Sequence, residues 1–261
     1  MRRPMKDEAA ALDALNARIV SCRECPRLVA YRERVAHEKR AAFRDWEYWG
    51  RPLPGFGDPH ARLLVVGLAP AAHGGNRTGR MFTGDRSGEW LYRALHRAGF
   101  ANRSTAVSRN DGLALTDCRI TAAVRCAPPA NRPTRQEFAS CQPYLEREIE
   151  ILGDRLRVVV ALGRVATDAF LRAWRATGHP VPVPRPKFRH GASWTLPPVA
   201  FLVSYHPSQR NTQTGLLSRR MFDRVFLRAR RILEPAPRGV RRQREGARHP
   251  SSRPRRATTP A

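Results

Sequence analysis

The chain has 261 residues, 41% of them hydrophobic, enough for one large domain or two small ones with a proper core. Its formal net charge is +26, carried by Arg far more than by Lys, which suits a polyanionic partner and makes nucleic acid the first candidate. No run of about 18 apolar residues occurs, so no transmembrane helix is expected, and residues 1–10 carry early positive charge without an apolar stretch, so the expected location is the cytoplasm rather than a secretory route.

Residues 8–31 place Leu12, Leu15, Ile19 and Leu28 at helical spacing, with a break expected at Pro26. Residues 41–60 mix Phe43, Trp46, Tyr48 and Trp49 with Gly and Pro, as an ordered loop packed by its aromatics would. Four short apolar runs follow, at 63–67, 118–124, 158–162 and 199–204. They do not alternate with polar residues, which fits strands buried on both faces of a parallel sheet. Helical segments separate them. Ser87 is expected to cap a helix carrying Trp90, Leu91 and Leu95. Thr134-Arg135-Gln136-Glu137 is a capping box. Residues 164–174 and 216–232 supply two further helices.

This alternation predicts an α/β fold, a doubly wound, mostly parallel central sheet of about four strands flanked by helices. Ligands are then expected at the C-terminal strand edges. Residues 178–198, rich in Pro and basic side chains, read as a surface excursion. Residues 1–234 form the expected domain. Residues 235–261 carry eight Arg against one Glu and read as a disordered basic tail, either a loose DNA tether or a solubilising end.

Two segments leave expected strand ends. Residues 67–85 form a Gly-rich loop able to bring backbone close to a ligand. Part of it approaches a Walker A pattern, but Arg80 stands where Lys is needed and Met81 where a magnesium-binding hydroxyl is needed, so a P-loop is not expected. Residues 204–211 carry His206 at the same expected edge, where an imidazole can donate to developing negative charge. Cys22 and Cys25 form a Cys-x2-Cys pair, while Cys126 and Cys141 lie near the second strand and in the capping-box helix. Four thiolates fit a [4Fe–4S] cluster or a structural zinc. Cys118, inside an apolar strand, reads as core.

Gly67-Leu68-Ala69-Pro70-Ala71-Ala72-His73-Gly74-Gly75-Asn76-Arg77-Thr78-Gly79-Arg80, His206-Pro207-Ser208 and Val124-Arg125-Cys126-Ala127-Pro128-Pro129, with Asn131-Arg132-Pro133 beyond, resemble motifs of the uracil-DNA glycosylase superfamily. The match looks closest to family 5, the type b enzymes, and spans residues 22 to about 232. The resemblance implies base excision repair, in which a damaged nucleotide is flipped from DNA and its N-glycosidic bond hydrolysed to leave an abasic site. It implies DNA containing uracil or other deaminated bases as partner, a monomer, and a [4Fe–4S] cluster on Cys22, Cys25, Cys126 and Cys141. Leu68 and Ala71 are apolar where other superfamily members carry a carboxylate or Asn, and Ala122 stands where relatives carry a uracil-reading Asn, so relaxed base choice is expected.

With that resemblance, His206 is expected to stabilise the departing base at O2 and Phe82 to stack on the flipped base. Asp85 is expected to position water or stabilise the oxocarbenium-like sugar, a helix-terminal role being equally open to it. Asn131 would help position water or contact the base. Backbone groups of Gly67, Leu68, Ala69, Pro70 and Ala71 would line the pocket. Ser208 would pin a phosphate, Gln209 or Arg210 would fill the vacated stack, and Arg77, Arg80 and Arg210 would contact phosphates. Two other classes compete. One is a non-catalytic nucleic-acid-binding protein with a structural metal. The other is a metal-assisted hydrolase using His73, His206 and Asp85, which no ligand spacing supports.

Overall fold

The computed structural model describes residues 5–234, and the basic segment 235–261 lies outside the described residues. Helix α1 (Met5–Ser21) and helix α2 (Pro26–Glu38) are separated by the Cys-x2-Cys segment. Pro26 starts α2 instead of breaking a longer helix, because at the first helical position its missing N–H costs no hydrogen bond. Strand β1 (Phe56–Gly57) and strand β2 (Leu63–Gly67) follow, then a single helical turn α3 (Gly75–Thr78) and helix α4 (Arg86–Arg97). The cap of α4 is Asp85 rather than Ser87: its side chain accepts from the Gly88 N–H. Next come β3 (Cys118–Ala122) and α5 (Arg135–Leu152), whose Thr134–Glu137 capping box forms as expected. The chain ends through β4 (Val158–Leu162), α6 (Arg164–Ala176), β5 (Ser193–Leu196), β6 (Val199–Ser204), the short α7 (Gln209–Gln213) and α8 (Arg219–Leu233).

The sheet has six strands in the order β1-β3-β2-β4-β6-β5. The inner four are parallel and are the four apolar runs; β1 and β5 add antiparallel edges. The edge β5 lies in the segment expected to be a surface excursion. The inner strands are buried on both faces, with a division of period two. Leu63, Val65, Val158 and Val160 join one core with Leu91 and Leu95 of α4 and Phe222 and Phe226 of α8. Leu64, Val66, Val159 and Ala161 join the other with Leu145 and Ile149 of α5 and Phe170 and Trp174 of α6. Helix α1 packs outside α5 through Leu12, Leu15 and Ile19 against Ile151.

One buried ionic knot ties α5 to β3. Glu148, fully buried, meets Arg119, Arg125 and Thr121. Burial alone would raise this carboxyl; the two guanidinium groups and the Thr121 hydroxyl instead hold it down to about 2. The knot orients the chain just ahead of Cys126. Cys118 is fully buried core, as expected.

Candidate active site

The order of the inner strands places β4 between β2 and β6. After β4 the chain turns at Gly163 straight into α6, so no long loop rises there. The loops leaving β2 and β6 therefore face each other across the carboxyl end of β4, the usual ligand position in such a sheet. Gly163 has φ +93°, and a Cβ on it would lie 3.4 Å from that of His206.

A cavity of about 540 Å³ opens at this edge. Phe82 and His206, from the two separate loops, both line it, their ring centroids 5.9 Å apart at a tilt of 32°. Leu68, Ala69, Pro70 and Ala71 form one wall, as expected, and Met81 joins them. Gly67 is not part of the lining. It sits behind Phe82, and a Cβ there would come within 2.8 Å of the phenyl ring, so its bareness seats the aromatic. Phe82 itself has φ +51°, an uncommon conformation for a bulky residue. The Tyr92 hydroxyl, donating to the Met81 carbonyl at 2.6 Å, pins the backbone beside it.

Asp85, Asn131, Ser208, Gln209 and Arg210 complete the rim and floor, together with Arg86 and Ser87, which sequence reading did not assign to the site. Asp85 both lines the cavity and caps α4, its Oδ1 accepting from Gly88 N–H at 2.9 Å. Burial pushes its carboxyl up, with the Gly88 and Ser87 N–H groups opposing. Gly74 must be bare because a Cβ would collide with the Asp85 side chain. Asn131 follows Ala130 in the left-handed region, φ +55° and +52°, a turn that lifts its amide to the rim. Ser208 caps α7 by accepting from Asn211 N–H at 3.4 Å. Asn211 in turn donates to the His206 carbonyl at 2.9 Å.

His206 has burial as the one cause acting on it, which lowers its imidazole to about 4. The ring is therefore neutral at physiological pH and can donate without carrying charge. Behind it, His190 Nδ1 accepts from the Tyr205 N–H at 3.1 Å, and the two rings stack at 5.2 Å. This holds the backbone leading into His206.

Two expected phosphate contacts are corrected. Arg77 is 3% exposed; its Nε donates to the His73 carbonyl at 2.8 Å and its Nη2 to the Gly84 carbonyl at 2.9 Å. Its guanidinium lies 3.9 Å from the ring centre of Phe43 and 4.1 Å from that of Trp46. Arg80 is 4% exposed and forms a two-pronged pair with Asp111 at 2.9 and 2.8 Å, plus a bond to Thr83. Neither reaches the surface, because each cation already has buried partners. Arg210 and Gln209 are exposed at the mouth.

The four cysteines Cys22, Cys25, Cys126 and Cys141 line one small cavity between α1, α2 and α5. Arg32, almost fully buried, donates from Nη1 to Cys126 Sγ at 3.0 Å, and its Nε has no partner among the described residues. Burial pushes Cys126 up to about 11 and Cys141 up to about 12 as bare thiols. Among the described residues no three His, Cys, Asp or Glu side chains converge as ligands of one ion, so His73, His206 and Asp85 form no ligand set. No helix of the described residues is long and apolar enough to cross a membrane.

Comparison with known proteins bears on this geometry. Residues 54–230 match the family model of the uracil DNA glycosylase superfamily. The chain is 52% identical over 225 residues to the type-5 uracil-DNA glycosylase of Mycobacterium tuberculosis, covering 86% of this chain and 82% of that one. It is 50% identical over 225 residues to the type-5 enzyme of Mycobacterium leprae, covering 86% and 96%. With the type-5 enzyme of Thermus thermophilus it shares 51% over 217 residues, covering 82% and 94%.

Proposed function

This chain belongs to the uracil DNA glycosylase superfamily, among its type-5 enzymes, and we propose that it excises uracil from DNA by hydrolysing the N-glycosidic bond and leaving an abasic site. The observation that carries this reading is the shared cavity of Phe82 and His206 at one sheet edge. Its volume of about 540 Å³ is ample for one extruded base and its sugar.

Breaking the bond sends its electron pair to the base and leaves positive charge on the sugar. Phe82 offers a face for the flipped base. The neutral His206 donates to the base oxygen as charge develops there, a preorganised donor that needs no proton transfer. Asp85, at the edge of the same cavity, orients the attacking water and takes its proton; its raised affinity for a proton suits that duty. Asn131 assists in holding the water. Leu68, Ala69, Pro70 and Ala71 enclose the base with backbone and apolar groups, presenting no side-chain amide to one base edge. Discrimination against other deaminated bases is then weak. Ser208 and Arg210 stand at the mouth to hold the strand, and Gln209 to fill the vacated stack.

The cysteine cavity fits a [4Fe–4S] cluster better than zinc. Zinc requires four thiolates to converge on one ion, about 2.3 Å from each, whereas a cluster is bound from outside, each thiolate on its own iron. Cys22, Cys25, Cys126 and Cys141 surround the cavity without converging, and Arg32 and Arg125 supply positive charge beside the sulfurs. When bound, the cluster serves as a cross-link between the N-terminal helices and α5. DNA substrate and five unpaired cysteines fit a monomer working in the cytoplasm.

The test is single-turnover release of free base from a panel of duplexes, each with one lesion, in EDTA. Uracil release, with hypoxanthine or xanthine released within a modest factor, is the expected result. Binding without base release would replace this reading with the non-catalytic nucleic-acid binder.

A further inference from the structure

A second cavity of about 370 Å³ adjoins the base pocket. The two share Ala71, Asp85, Arg86, Asn131 and Gln209 as a common wall. The character of the second chamber differs. Its inner wall carries His73 and two exposed arginines, Arg40 and Arg86. Arg62, Arg80 and Arg93 each meet a carboxylate, but neither Arg40 nor Arg86 forms an ion pair among the described residues. Asp85 is the single carboxylate of this chamber.

Tyr48 holds the His73 ring in place. Tyr48, 8% exposed, accepts from the Arg40 backbone N–H at 3.4 Å through its hydroxyl oxygen. The same hydroxyl lies 3.1 Å from His73 Nδ1. This contact occupies Nδ1, and Nε2 has no hydrogen-bond partner among the described residues; a phosphate beside it would select the tautomer with hydrogen at Nε2. The Arg77 bond to the His73 carbonyl fixes the backbone from the other side. His73 and two unpaired guanidinium groups thus border one chamber, side chains suited to a phosphodiester.

We propose that this chamber takes one backbone phosphate adjoining the flipped nucleotide, gripped by Arg40 and Arg86 and accepting a hydrogen bond from His73 Nε2. The inference rests on the base-excision reading above. It replaces Arg77 and Arg80, which are buried and already hydrogen-bonded, with two arginines whose side chains are neither. With the base beyond the shared wall and the phosphate in this chamber, the sugar lies beside Asp85. The same contacts then hold the anomeric carbon against the water that attacks it.

The experiment uses the full chain and duplexes with a single non-cleavable 2′-fluoro-deoxyuridine. The phosphate on its 5′ side or its 3′ side is replaced by a neutral methylphosphonate. Binding is measured for the unaltered protein and for the Arg40→Gln/Arg86→Gln double variant, both positions being exposed. For the unaltered protein, one of the two neutral linkages should weaken binding roughly tenfold or more, as loss of charge-assisted bonds does. Which linkage it is identifies the 5′ or the 3′ phosphate. The double variant should bind that neutral duplex no worse than the natural one, and its slope of log affinity against log salt should be shallower by about 1 per arginine. His73→Gln, which keeps a terminal N–H, should bind better than His73→Phe. If both neutral linkages cost the double variant as much as the unaltered protein, the proposal is overturned. Failure of the unaltered protein to release uracil would instead overturn the base-excision reading.

Discussion

His206 and Arg77 are both polar side chains taken out of water, and burial lowers the proton affinity of each, yet only His206 loses its charge. For His206 it lowers the imidazole to about 4, so the ring is uncharged from weakly acid pH upward. The sign follows: acid protonates it only well below the usual histidine range, so the single-turnover rate should show no inflection near about pH 6.5. His206→Ala should slow excision by about 10²–10³ while leaving DNA affinity nearly intact. A rate step near the ordinary histidine value, removed in the variant, would assign it a charged role instead. Arg77 spends its cation on two carbonyls, His73 and Gly84, which bracket the approach to Asp85, and on two aromatic faces. Lys cannot span both carbonyls with a planar fork. Arg77→Lys should therefore cut excision with the salt slope of DNA binding unchanged, whereas a true phosphate contact would lower that slope by about 1. Charge in the sequence pointed to phosphate for Arg77 and Arg80; what decides otherwise is a partner distant along the chain, Asp111 in the case of Arg80. No local pattern reveals that pairing.

At the scale of elements, the four inner strands were readable because burial on both faces requires unbroken apolar runs, and each run is a strand. The edge strands escaped for the converse reason. β1 has two half-buried residues, and β5 is mostly half-exposed and sits among Pro and basic residues, so neither carries that signal. The cap of α4 shows a subtler limit. Asp85 and Ser87 are both good capping types, and local chemistry cannot choose between them. The site depends on that choice, since the carboxylate that terminates α4 is the one lining the cavity. Burial raises the Asp85 carboxyl, so the folded chain holds this proton more tightly than the unfolded chain. Stability is then lost as pH rises from the unfolded carboxyl value of about 3.9 through the raised folded one. Asp85→Asn preserves the cap, because Asn serves there as well as Asp, and removes the buried charge. The melting temperature of this variant at neutral pH should equal or exceed that of the parent, while single-turnover excision collapses. In the parent, the rate should fall on the acid side with an apparent pKa above the ordinary carboxylate value, and this acid limb should be absent from the residual activity of the variant. Full activity in Asp85→Asn would reduce Asp85 to a cap.

Across the whole molecule, the N-terminal helices are joined to the sheet domain through distinct kinds of contact. Leu12, Leu15 and Ile19 pack on α5 near Ile151. Arg27 makes a two-pronged pair with Glu137 at 2.7 and 2.8 Å. Asn76, in α3, donates to the Arg32 carbonyl at 3.1 Å. The cysteine cavity spans the same junction, with Cys22 and Cys25 on one side and Cys126 and Cys141 on the other. The base pocket is built from the carboxyl ends of β2 and β6, and the buried knot of Glu148 with Arg119 and Arg125 holds α5 to β3 without any cysteine. The proposed cluster at the junction would therefore act as a clip, and removing it should loosen one part of the molecule selectively. On the proposed cluster, the parent should be brown and hold iron, and Cys22→Ser should lose both. Amide hydrogen exchange should then quicken across residues 5–38 while β2 and β4 stay protected, since those strands bury their amides in cores that the clip does not touch. Excision should fall less than it does for His206→Ala, because of the apolar wall residues only Ala69 packs against the cysteines. Exchange that quickens equally in the inner strands would show that the clip supports the whole fold, and a variant that retains stoichiometric iron would remove Cys22 from the ligand set.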